Sequence, residues 1–192
     1  MNCWKSINLL KDFGRNRLVL MSSLITLFSF ILLYVSITIA QGSTAKVSEA
    51  GMIPFLLLLL LLPTIHSSMH ILPLILMNRR MKIIFKLKNG CFPVFYYYTK
   101  YHLTKKAYFI VALAPTILLT IPGVVASYYF NHYSVYILLL TSVNIGIAFI
   151  DLLYISYLWK APKQSLIESS EDGNGLDILI QGHEEQRRRA SV

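Results

Sequence analysis

Two histidines, His66 and His70, lie four residues apart inside the otherwise apolar run LLLLLLLPTIHSSMHILPLILM, residues 56–77. On a helix, positions i and i+4 share a face with Cβ atoms roughly 5–6 Å apart, so both imidazoles can point at one ion. In zinc hydrolases built on H-E-x-x-H, two such histidines bind the metal and the glutamate activates a water. Here Ser67 occupies the glutamate position. The spacing supplies the metal-binding half of that motif and omits its general base.

A third candidate ligand stands far away in sequence. Asp151 is the only acidic residue between Glu49 and Glu168, and it too sits in an apolar run, seven residues after Asn144. An ionisable side chain in such surroundings is costly enough to mark a functional site. Two histidines and one carboxylate make a three-ligand set with a fourth position open, the arrangement of catalytic zinc centres. The same residues would also serve as a hydrogen-bonded cluster that fixes helix packing. Because H-x-x-x-H is a common pattern, spacing alone tilts toward the packing cluster.

The elements that must position these residues are membrane helices. Only 14% of the 192 residues are charged and the mean hydropathy is +0.57, whereas soluble chains carry about 25% charged residues. Runs of about 20 apolar residues mark spanning helices, and four occur, over residues 18–40, 52–77, 107–130 and 134–159. The expected architecture is an all-α, four-helix polytopic membrane protein. Residues 1–17 form a cytoplasmic interfacial segment, 18–160 the membrane domain and 161–192 a polar cytoplasmic tail. The first run follows a basic segment, as a signal peptide would, but it exceeds the usual core of about 7–15 residues and is read as a helix.

Lys and Arg are enriched in short cytoplasmic loops. The N-terminal segment carries Lys5, Lys11, Arg15 and Arg17, and the loop 78–106 carries eight Lys and Arg without an acid. Residues 41–51 hold only Lys46 beside Glu49, 131–133 hold none, and the tail resumes with Lys160 and Lys163. Both termini are therefore expected in the cytoplasm. The net charge of +9 is then mostly a topology signal with attraction to anionic headgroups, which argues against nucleic-acid binding. Cys3 and Cys91 fall on the same reducing side, so no disulfide is expected.

With this topology the depths agree. The second and fourth spans run in one direction. The middle of the histidine pair lies ten residues before Asn78 and Asp151 nine before Lys160, each roughly 14 Å from the helix end at about 1.5 Å per residue. Asn144, two turns from Asp151 on the same face, is placed to line the same cavity. Pro63, less than one turn before His66, kinks the helix and frees carbonyls near it. Pro115 and Pro122-Gly123 in the third span read as a bend without chemistry.

Within the loop 78–106, a β-favouring stretch from Lys82 to Lys88, the tight-turn signal Asn89-Gly90 and the aromatic stretch from Cys91 to Tyr98 predict a cytoplasmic β-hairpin. Pro93 places the second strand at an edge. That hairpin would lie on the membrane or offer its edge to an extended peptide. In the tail, His183-Glu184 begins like a zinc motif, but Arg187 stands where the second histidine should be. Leu176–Ile180 reads as one short strand or docking segment.

The histidine pair in the second span, the basic β-rich loop after it and the Asn144 and Asp151 pair in the last span resemble a Firmicute bacterial family of unknown function described as zincin-type membrane peptidases. That family is similar in turn to intramembrane site-2 proteases. The opening Asn2-Cys3-Trp4-Lys5-Ser6-Ile7-Asn8-Leu9 and the exit Trp159-Lys160-Ala161-Pro162 share the resemblance, which extends from residue 2 to about 180. It implies a bacterial inner-membrane location, a zinc cofactor, His66, His70 and Asp151 as ligands, and Asn144 as the polar residue upstream of the acidic ligand. Ser67 departs from the pattern, because the missing carboxylate takes and returns the proton in such enzymes. A serine hydroxyl cannot do so at neutral pH.

Three function classes follow. The first is a zinc-holding pseudopeptidase that binds membrane-embedded or extended peptide segments or regulates; the second is an active intramembrane zinc metalloprotease with a substitute base. The third, a small transporter component, has the least support, since one carboxylate and two histidines make a thin ion pathway and no internal repeat is visible. The sequence names no substrate or partner beyond the lipid bilayer, and no oligomeric state.

Overall fold

The computed structural model describes residues 2–42, 47–77, 81–88, 92–99, 103–169 and 175–180. Strand β1 (Asn2–Ile7) and a short helix α1 (Leu9–Phe13) lead into α2 (Arg15–Gln41). A 3-10 turn (Glu49–Gly51), α3 (Met52–Met69) and α4 (Ile71–Leu76) follow, then the hairpin strands β2 (Met81–Lys88) and β3 (Phe92–Thr99). After β4 (Leu103–Thr104) come α5 (Lys105–Tyr129), a 3-10 turn (Asn131–Tyr133) and α6 (Ser134–Trp159), with β5 (Leu166–Ser169) and β6 (Leu176–Ile180) last.

Among the described residues, four helical stretches are long and apolar enough to cross a membrane: α2, the composite Glu49–Leu76, α5 and the stretch ending with α6. Apolar runs of this length become helices because a bilayer offers backbone groups no partner outside their own segment. The composite helix is interrupted at His70 for a local reason. Pro73 has no N–H for the carbonyl of Met69, four residues earlier, so the ladder breaks there while the backbone at His70 stays helical, at φ −67° and ψ −27°.

Helix α6 is the hub, packed against α5, α2 and α3. Small residues make that possible: Ser134, Thr141, Ser142, Gly146 and Ala148 are all buried, as expected where helices approach without bulky side chains between them. The closest approach is at Gly146. Ser22 Oγ donates to its carbonyl at 2.5 Å, and a Cβ there would collide with Thr26 Oγ1 and come within 2.9 Å of the Ser22 carbonyl.

The all-α expectation needs amending. Beyond the expected hairpin, whose strands pair antiparallel from Met81 opposite Thr99 to Lys88 opposite Phe92, there is an antiparallel four-stranded sheet in the order β1-β6-β5-β4. It draws residues 2–7 out of the interfacial segment and residues 166–169 and 176–180 out of the polar tail. Ile7, Leu103, Ile167 and Ile178 from this sheet join Leu74, Val111 and Leu158 in one buried cluster, closing the bundle where α4 and α6 end and α5 begins. Each strand is at most six residues long and β1 meets its partner β6 some 170 residues later, so local periodicity could not announce the pairing. The Asn89-Gly90 turn, Cys91, His183-Glu184 and the basic end Arg187 to Arg189 lie outside the described residues.

Candidate metal centre

Helix α3 carries His66 near its end, the Pro73-induced break holds His70, and α6 supplies Asn144 and Asp151. The structure brings all four together. His66 Nε2 lies 3.0 Å from Asp151 Oδ2, and His70 Nε2 lies 3.6 Å from the same oxygen. The two rings stand nearly perpendicular, at 82° with centroids 5.3 Å apart. The histidines are buried, whereas the Asp151 side chain keeps 21% of its surface.

The other ring nitrogens are tied down. Nδ1 of His70 donates to the carbonyl of Val111 at 2.8 Å. That oxygen is available because its helical partner would be the N–H of residue 115, which is proline. Nδ1 of His66 meets Asn144 Oδ1 at 2.9 Å. The orientation of the Asn144 amide follows from its far side, where Nδ2 faces the Pro115 carbonyl at 3.5 Å and donates to Thr120 Oγ1 at 3.2 Å. A carbonyl only accepts, so the amide nitrogen faces Pro115 and its oxygen faces His66.

Both Nδ1 atoms face acceptors and carry the hydrogen, so each imidazole, in its neutral form, turns an Nε2 lone pair toward Asp151. Those two lone pairs converge on a carboxylate oxygen that is itself an acceptor. These three atoms could hold one metal ion among them. The donor set also fits zinc: the three ligand atoms lie within 4.8 Å of one another, and donors around a tetrahedral zinc stand roughly 3.3 Å apart for bonds of about 2.0–2.1 Å. The hydrogen bonds behind both histidines are those that fix tautomer and ring orientation in metal sites.

One expectation is corrected here. Pro115 is more than a bend without chemistry, since it releases the carbonyl that holds His70. Asn144 is 1% exposed and stands behind His66. The Val111 carbonyl and Thr120 were missed altogether. A usable signal did exist, because any proline within a helix identifies a freed carbonyl four residues earlier. Ser67 is half-buried beside His66 on α3, and Asp151 is the one carboxylate in the cluster.

No curated protein matches the chain, and no solved structure does. A family model described as "putative zincin peptidase" matches residues 59–166, more than half of the chain. The matched stretch contains His66, His70, Val111, Pro115, Asn144 and Asp151, every residue from which the centre is built. The chain therefore belongs to the family so described.

Proposed function

We propose that this protein is a zinc-holding pseudopeptidase of the membrane, which keeps the metal-binding half of a zincin site and has lost the proton-transfer half. The observation that carries the metal assignment is the convergence of His66 Nε2, His70 Nε2 and Asp151 Oδ2, within 4.8 Å of one another, with both histidine Nδ1 atoms held from behind. Zinc held by these residues supplies a Lewis acid that polarises a carbonyl or acidifies a water. Peptide hydrolysis further requires a group that removes a proton from water and returns it to the departing amine. Ser67 stands at that group's position, its hydroxyl too weak a base, and Asp151 as a ligand is committed to the metal. The protein then binds membrane-embedded or extended peptide segments, or regulates, without cutting. The distribution of Lys and Arg favours both termini in the cytoplasm, and the family resemblance favours a bacterial inner membrane.

Family membership favours a second reading, an active intramembrane metalloprotease, and one experiment separates the two. Zinc is measured by elemental analysis of detergent-purified wild type and of His66→Ala, His70→Ala and Asp151→Ala, alongside cleavage of a panel of transmembrane peptides. The proposal expects about one zinc per chain, lost in all three variants, with no cleavage by the wild type and cleavage gained in Ser67→Glu. Cleavage by the wild type that disappears in His66→Ala would establish the active protease, and a wild type free of zinc would leave the cluster a packing device.

A further inference from the structure

We propose that Pro115 is a positioning residue that sets the His70 imidazole, and through it the affinity of the metal centre; the second clause rests on the zinc reading above. Helix α5 cannot make one of its own hydrogen bonds. In an α-helix the carbonyl of residue 111 accepts from the N–H of residue 115, and Pro115 has none. An unsatisfied carbonyl in an apolar interior costs about 1–3 kcal/mol, so the Val111 oxygen requires a donor from elsewhere. His70 Nδ1 provides it at 2.8 Å, with Val111 0% exposed and no water competing for the oxygen. The bond orients the ring and retains the hydrogen on Nδ1, which directs the Nε2 acceptor toward Asp151.

His70 itself needs this outside support more than His66 does. It sits at the break caused by Pro73, between α3 and α4, where the helix holding it is discontinuous. The two prolines thus act as a matched pair across the α3–α5 interface: one opens the ladder at the histidine, the other opens it at the acceptor. Helix α5 contains an internal comparison. Pro122 frees the Leu118 carbonyl by the same rule, but Leu118 is 40% exposed and lies two turns, about 10 Å, further along α5 than Val111.

The experiment uses full-length protein with 15N-labelled histidine in detergent micelles, with the imidazole signals assigned through His66→Gln and His70→Gln. The wild type should show an exchange-protected Nδ1–H for His70. Pro115→Ala and Pro115→Val both restore a backbone N–H that reclaims the Val111 carbonyl, so both should lose protection at His70. His66 should keep its own, because the residue 115 carbonyl that faces Asn144 remains. Zinc affinity, read by chelator competition, should fall about 10–100-fold, as for other outer partners of metal ligands. Pro122→Ala should alter neither, and unchanged helix content and micelle elution volume confirm that the fold is retained. Protection surviving at His70 in both Pro115 variants overturns the proposal. So does equal loss in Pro122→Ala, or wild-type zinc affinity in the Pro115 variants. A wild type that takes no zinc, with His70 protection still lost only in the Pro115 variants, would remove the zinc reading and uphold the positioning of His70.

Discussion

Replacing Asn144 tests the layer behind the ligands. Asn144 is 1% exposed, so Asn144→Ala leaves the His66 Nδ1–H in a dry site without its 2.9 Å acceptor. A buried donor stripped of its partner costs about 1–3 kcal/mol. At about 1.4 kcal/mol per tenfold, a loss borne by the oriented, metal-ready ring corresponds to roughly 5–150-fold in zinc affinity. Part would be relieved by the ring turning its hydrogen to Nε2, toward Asp151, which removes a ligand and costs affinity by another route. Asn144→Asp separates the terms. It keeps an oxygen facing His66 but turns the second oxygen on the Pro115 carbonyl, where Nδ2 stood. Affinity should then stay within a few-fold of wild type while thermal stability falls. Competition against a chromophoric chelator in micelles reads the affinity, and the unfolding midpoint reads the stability. Zinc bound by Asn144→Ala as tightly as by wild type would refute the reasoning, since the hydrogen bond to His66 would then contribute nothing to the centre.

Two further outcomes follow from the packing. Gly146→Ala should destabilise the bundle by about 1–3 kcal/mol, the usual cost of forcing atoms into a packed contact, seen as a lower denaturation midpoint in mixed micelles. Adding Thr26→Ala should recover only part of that, because the Ser22 backbone carbonyl stays in place. Lys105 Nζ donates to the Trp159 and Ala161 carbonyls at 3.0 and 2.7 Å, bridging the start of α5 to the end of α6. Lys105→Met should lower stability by about 1 kcal/mol, measured by the same titration, with zinc binding little changed.

How much of this was legible in the sequence depends on which atoms carry the information. The spans were readable because twenty-residue apolar runs have almost no alternative to a helix in lipid. The meeting of His66, His70 and Asp151 was readable because depth along parallel-running helices can be counted from their charged ends. The four-stranded sheet was not, since strands of two to six residues show no period and the edge strand β1 finds β6 at the other end of the chain. The Val111 carbonyl was missed for a different reason: every residue has a carbonyl, so residue type says nothing about which one is free. Only the proline four positions on distinguishes it. The same logic applies to Pro63, which leaves the Leu59 carbonyl without its helical donor just over two turns before Ser67 on α3. In an apolar span each proline acts as a pointer to an acceptor, and reading Pro115 that way, rather than as a bend, brings the carbonyl behind His70 within reach of the sequence.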